Sequence, residues 1–312
     1  MKSHEDILER ITPTKLIFSS LKGISQVILV ENILSGLLIL IAITIADYQL
    51  GILTFLAATT GTLVAYVAGG DRRVISQGLF GYNSVLVGQA LYLFLTGNAR
   101  FVIALAASAL VAVFTAAVIH ILKGAGIPTL TFPYITLTWF LLLASYQLKH
   151  FHLASGMIPR DLWQIEISST AAVHFIDGIV NGVGQIYFQG TLLPGILIAL
   201  AVFWENWKWG MYAIIGSLAA WFAAYILVID ITALNLGLYG YNAVLTMLAI
   251  AAVFDANKPL APLTGVIAAV ATVPITASMN AWLTPFGIPA LTMPFVLVTW
   301  IFLSARKMFP NL

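Results

Sequence analysis

Three short blocks occur twice in the same order, and this duplication constrains the fold more than any other feature of the chain. LKGISQVILVEN, starting at Leu21, returns as VNGVGQIYFQGT from Val180. QGLFGYNSVL from Gln77 returns as LGLYGYNAVL from Leu236, and IPTLTFPYITLTW from Ile127 as IPALTMPFVLVTW from Ile288. The first two pairs are offset by 159 residues and the third by 161. Self-similarity at a fixed long offset predicts two related halves.

The sequence around these blocks is too apolar to face water. Of 312 residues 61% are hydrophobic and 8% charged, against roughly a quarter charged in an ordinary globular chain. Apolar runs such as 101–122 and 209–228 reach about 20 residues, the length at which a helix crosses a hydrocarbon core of roughly 30 Å. No period-2 alternation is present, so the spans are helical rather than barrel strands. Breaks at 46–50, 70–73, 97–100, 123–126, 148–168, 205–208, 230–234, 255–259 and 283–287 divide the chain into ten spans.

Five spans fall in each half, and an odd number inverts the second half relative to the first. The expected fold is therefore an all-α membrane protein with ten transmembrane helices in two inverted five-helix repeats. The first repeat covers 1–150, an extracellular or periplasmic linker 151–167, and the second repeat 168–312. The opening block of each half, 16–29 and 179–188, is too short to cross and reads as a pore half-helix. Such broken backbone is tolerated at membrane depth only where it is buried in protein or lines a cavity.

With the N-terminus inside, eleven of the fourteen basic residues lie on the cytoplasmic side, and only Arg100, Lys149 and Arg160 lie outside. This asymmetry places both termini in the cytoplasm and the protein in the plasma or inner membrane. The first fifteen residues carry both signs of charge and lack a cleavable signal pattern. There are no cysteines, hence no disulfide, thiolate metal site or cysteine nucleophile. The spans lack runs of Asp, Glu, Lys or Arg of the kind that mark proton relays and ion-coupled pumps. The only histidine placed within a span is His120, near its cytoplasmic end. With no phosphate loop, metal cluster or catalytic triad in view, the chain is expected to be a transporter rather than an enzyme, with no cofactor, no metal and no nucleic-acid partner.

The polar chemistry collects in the repeated blocks. Proline cannot donate an N–H, so Pro133 and Pro294 are expected to release the carbonyls of Thr129 and Ala290 from helical bonding. Each carbonyl then sits beside a hydroxyl, Thr131 or Thr292, near mid-membrane. The competing reading is a packed, kinked helix with its hydroxyls bonded to its own backbone. Two interruptions in inverted halves favour a binding site instead.

Gly81 and Gly240 precede Tyr82 and Tyr241. Tyr82 shares a helical face with Leu86, and Tyr241 with Leu245, giving a flat ring beside an apolar side chain, one wall of a slot. Phe80 and Tyr239, across the glycine, compete for that wall. Asn83 and Asn242 read as helix caps. Gln26 and Gln185 align inside the half-helices, where a buried amide needs partners. Phe188 and Leu29 hold matching places three residues later, and Glu31, opposite Gly190, reads as a solvated or capping charge.

The doubled TLTFPY/ALTMPF and GLFGYN/GLYGYN motifs, with the paired glutamines, resemble the urea transporter family across essentially the whole chain. Ile127-Pro128 and Ile288-Pro289 stand where that family has Leu-Pro, and Tyr134 stands in place of a final Phe. The resemblance implies a homotrimer in membrane lipid with one pore per subunit and passive, channel-like passage of urea or a close small neutral amide. It assigns Thr131, Thr292 and the carbonyls of Thr129 and Ala290 to the constriction. Gln26 and Gln185, with Val27 and Ile186, line flanking sites, and Leu86 and Leu245 form the central wall with aromatic residues at its ends. The family's aromatic clamp has Phe where Leu29 stands, and it often has a carboxylate at one glutamine position. Alternatives are a channel for another neutral solute such as ammonia, an ion-coupled transporter, and a non-transporting scaffold.

Overall fold

A computed structural model describes residues 12–148, 151–157, 159–162 and 171–309; residues 1–11 of the N-terminal lead-in and residues 158 and 163–167 of the linker lie outside them. The chain forms two compact units, Met1–Ala154 and Ser155–Leu312.

The first unit contains α1 (Pro13–Gln26), α2 (Ile33–Ala46), α3 (Tyr48–Val67), α4 (Arg72–Ser76), α5 (Tyr82–Phe94), α6 (Arg100–Lys123) and α7 (Phe132–Ala144). A two-residue strand β1 (Leu95–Thr96) pairs antiparallel with β2 (His152–Leu153). The second unit contains α8 (Phe175–Gly184), α9 (Leu192–Glu205), α10 (Trp207–Ile226), α11 (Ile231–Asn235), α12 (Gly240–Leu248), α13 (Ala261–Leu283) and α14 (Met293–Ala305). A 3-10 turn (Gln185–Tyr187) extends α8, and a π-helix (Ala249–Phe254) extends α12.

Several polar side chains set where helices begin. Asn32 accepts from the Leu34 and Ser35 amides at the start of α2, and Asp47 from those of Gln49 and Leu50 at α3. Asp71, Asn206 and Asp230 cap α4, α10 and α11. These side chains satisfy amides that a helix leaves unpaired at its first turn. Glu31 caps no helix; it pairs with Lys22 at 2.8 Å.

Helices α3, α6, α10 and the stretch Ala261–Phe286 are each long and apolar enough to cross a membrane. Helices α8 and α9 meet at a 73° bend, as a broken or re-entrant span does, and α2, α7, α14 and Gly240–Phe254 are shorter apolar helices. Helix α5 is buried along Tyr82–Tyr92 despite carrying Asn83, Ser84 and Gln89, whose donor groups are bonded inside the unit while the amide oxygens of Asn83 and Gln89 have no hydrogen-bond partner among the described residues. Gln89 Nε2 donates to Thr54 Oγ1 at 2.8 Å, and Ser84 Oγ to the Ser108 carbonyl at 2.8 Å.

In each unit the first helix is pressed against the loop ahead of the GYN motif by glycine. Gly78 has φ +82°, and a Cβ there would lie 2.4 Å from the Gly23 nitrogen. Gly237 has φ +72°, and its Cβ would lie 2.3 Å from that of Gly182. Only a residue with neither a Cβ nor a left-handed penalty fits.

Candidate functional site

The opening helices of the two units, α1 and α8 with its 3-10 extension, end alike. Leu29 and Phe188 adopt left-handed φ of 64° and 59°. The Leu29 amide bonds the Gln26 carbonyl and the Val30 amide that of Ser25; the Phe188 amide bonds the Gln185 carbonyl and the Gln189 amide that of Gly184. This is the paired-bond Schellman ending, normally completed by glycine. Its use of Leu and Phe fixes the exit direction of both side chains at a local cost of about 1–2 kcal/mol each.

The two glutamines stand immediately before these endings and are half-buried. Gln185 Nε2 donates to the Leu236 carbonyl at 3.0 Å, which directs the amide oxygen to the other side as an acceptor. Gly190 leaves room for it, since a Cβ there would come within 2.9 Å of Gln185 Nε2. Val27 and Ile186, beside the glutamines, are 1% and 2% exposed.

The proline blocks break the chain ahead of the helix, not inside it. Phe132 and Met293 are the first helical residues, and Pro133 and Pro294 occupy the first turn, where a missing amide costs nothing. The expectation that Thr129 and Ala290 lose helical partners is corrected accordingly, because both precede the helix. The Ala290 carbonyl accepts from the Met293 amide at 3.3 Å. Leu130 and Leu291 take left-handed φ of 49° and 53°. Thr131 and Thr292 follow as N-cap residues, 2% and 3% exposed, their carbonyls accepting from Ile135 and Val296.

The GYN motif holds each break in place. Tyr82 donates its hydroxyl to the Leu130 carbonyl, and Tyr241 donates to that of Leu291 at 2.7 Å. Leu86 and Leu245, one turn on, are 1% and 0% exposed. The competing aromatics go elsewhere. Phe80 packs with Ala65, Tyr66 and Ile75. Tyr239 packs against a cluster containing Trp221 and Leu234, and lines a cavity of about 650 Å³ with Asp230 and Asn280.

The asparagines do not cap their own helices, because neither α5 nor α12 has a side-chain cap. Asn242 caps another helix instead: its Oδ1 accepts from the Phe295 amide in the first turn of α14 at 3.1 Å, while Nδ2 donates to the Leu291 carbonyl at 3.3 Å. Asn83 donates to Thr115 Oγ1 at 3.1 Å. These tyrosine and asparagine bonds span 32 to 53 residues of sequence, and the only signal for them was the repetition of the Tyr-Asn pair itself.

The site is thus built of neutral groups: hydroxyls, amides, carbonyls and apolar faces. Among the described residues no group of three or more His, Asp or Glu converges as a metal site. This arrangement can hold a small uncharged polar solute by hydrogen bonds and offers no nucleophile or proton relay.

Long apolar helices, a bent helix pair and buried polar breaks define a multi-pass helical membrane protein. The sequence model described as urea transporter matches residues 17–307, and the chain belongs to the urea transporter family. It is a transport protein and not an enzyme. Similar curated proteins include urea transporter 1 of Ovis aries and of Capra hircus, each 28% identical over 297 residues, and that of Mus musculus, 28% identical over 301 residues. Each alignment covers 94% of this chain and 77% of the relative.

Proposed function

We propose that this protein conducts urea passively through one narrow slot per subunit, as a homotrimer in the plasma or inner membrane with both termini cytoplasmic. In this reading ten spans form two inverted five-helix repeats, residues 1–150 and 168–312, each opened by a half-helix. The observation that carries it is the doubled break, Leu130-Thr131 and Leu291-Thr292, each tied to a tyrosine of the GYN motif.

Urea is planar and neutral, with N–H donors along two edges and one carbonyl. Each hydration bond lost and not replaced in an apolar site costs a few kcal/mol. Thr131 and Thr292, with the carbonyls of Thr129 and Ala290, supply acceptors along the edges. Leu86, Leu245, Tyr82 and Tyr241 press on the faces, and Phe80 and Tyr239 serve as packing. Gln26 and Gln185 meet the solute on either side, beside Val27 and Ile186, with Leu29 and Phe188 at the turns. Retention must be weak, since a conducting site releases what it admits. Family membership and the names of the relatives support urea as the solute, and the neutrality of the site supports passive movement.

The test is stopped-flow light scattering of proteoliposomes under an inward urea gradient with no ion gradient, comparing wild type with Thr131→Val and Thr292→Val. Rapid, saturable entry that both substitutions slow supports the reading. Entry no faster than in empty liposomes, appearing only when a proton or sodium gradient is applied, overturns it in favour of coupled transport.

A further inference from the structure

Beyond the solute path, the first unit carries a basic pocket at the end of a membrane-spanning helix. The cavity, about 760 Å³, is lined by Lys15, Lys22 and Arg72 together with Phe18, Ile33 and Tyr66. Tyr66 is the penultimate residue of α3, one of the helices long enough to cross the bilayer. The pocket therefore lies where hydrocarbon gives way to headgroups, the depth favoured by tyrosine and by lysine and arginine.

Charge and apolar surface are arranged in sequence across it. The Arg72 guanidinium lies 4.7 Å over the Tyr66 ring, which fixes its position. Lys22 is paired with Glu31, but among the described residues Lys15 and Arg72 make no ion pair. Phe18 is 47% exposed, an apolar rim beside the cations. Nothing in the repeat requires this. The positions 159 residues later, matching Lys15, Lys22 and Arg72, are His174, Asn181 and Ile231. Tyr225 matches Tyr66. The second unit keeps the ring and omits all three fixed positive charges.

We infer that this pocket binds the phosphate headgroup of an anionic phospholipid, with Lys15 and Arg72 on the phosphate and the acyl chains along the Phe18 rim. Basic pockets beside membrane helices at the headgroup level bind such lipids through short-range charge attraction, and the exposed rim distinguishes a lipid from a free anion.

The experiment uses the full chain in neutral detergent, titrated with dioleoyl phosphatidylglycerol, dioleoyl phosphatidylcholine or inorganic phosphate, and followed by native mass spectrometry and thermal unfolding. The expected result is selective adducts and a rise in Tm with phosphatidylglycerol only. Lys15→Gln/Arg72→Gln should weaken that binding by about tenfold or more while leaving Tm in phosphatidylcholine unchanged. Lys15→Arg/Arg72→Lys should retain it. Equal shifts with phosphatidylcholine, or a Gln variant that binds phosphatidylglycerol like wild type, overturn the proposal. A full shift from inorganic phosphate alone makes the pocket a free-anion site and overturns the lipid assignment. Glu5, Asp6 and Glu9 precede the pocket in sequence. If wild type binds no phosphatidylglycerol and Glu5→Gln/Asp6→Asn/Glu9→Gln does, the chain's own carboxylates fill the pocket and the proposal fails.

Discussion

Tyr82 donates its hydroxyl to the carbonyl of Leu130, a residue 48 positions away that is held in a left-handed conformation. Tyr241 and Leu291 repeat the relationship. The bond pays twice: it satisfies a carbonyl that no helix uses, and it fastens the aromatic ring to the residue preceding Thr131. Tyr82→Phe and Tyr241→Phe keep the ring and remove the tether. Each is expected to lower stability by about 1–2 kcal/mol and to slow urea entry. Thermal unfolding in detergent and proteoliposome flux on the same samples check this. Unchanged values in both variants would show that the break holds itself.

Thr131→Val and Thr292→Val preserve shape and remove one hydroxyl each. If one solute hydrogen bond of ~1–1.5 kcal/mol is lost at the constriction, urea permeability falls by about tenfold, because 1.4 kcal/mol is a factor of ten. The matched Thr136→Val, whose hydroxyl bonds the Phe132 carbonyl within α7, should leave permeability near wild type. Equal effects at all three positions would reduce the threonine result to general destabilisation.

Gly78→Ala must place a Cβ 2.4 Å from the Gly23 nitrogen at a φ of +82°. Both the clash and the backbone conformation oppose it, so a loss above about 3 kcal/mol and little folded protein are expected. Gly69→Ala is the comparison: its φ is +75° but its Cβ would meet nothing within 4 Å, and a cost of only about 1 kcal/mol is expected. Size-exclusion yield in detergent separates the two.

Asn242→Leu removes both the acceptor for the Phe295 amide and a donor to the Leu291 carbonyl. Tyr241 still serves the Leu291 carbonyl, so the buried Phe295 amide is the group stranded, at a cost of about 1–3 kcal/mol. Hydrogen exchange of the Phe295 amide is expected to accelerate by a corresponding factor, whereas Asn83→Leu leaves it unchanged.

Asp255 pairs with Arg306, which is 6% exposed, and ties the end of the π-helix to the residue after α14. Asp255→Asn strands a buried guanidinium, at a cost of about 3–5 kcal/mol. Asp255→Leu/Arg306→Met removes both charges and should recover most of the lost stability in a thermal-unfolding comparison. A double variant as unstable as the single one would show that the ion pair itself, rather than the stranded charge, matters.

Much of the architecture was legible in the chain because membrane helices follow from local composition. Observed helix ends at Ala46, Lys123 and Glu205 coincide with breaks marked by polar residues, since Asp47 and Asn206 start the next helix through bonds to their own near neighbours. That the opening helices of the two halves, Pro13–Gln26 and Phe175–Gly184, are short was legible in the chain, and Gly23, Gly78 and Gly81 were visible as repeated glycines.

Bonds between distant segments were not legible. Tyr82 and Phe80 are equivalent as letters, and only packing sends one to Leu130 and the other into a cluster with Tyr66. Asn242 reads as a cap, yet the helix it caps begins fifty-one residues later. Proline signalled an interruption without saying whether it fell within a helix or before one. The sequence by itself determined which segments leave water and where helices start, because both depend on neighbours along the chain. Tertiary structure decided which polar groups meet at the two breaks, because a buried carbonyl takes whichever donor the packing brings within reach.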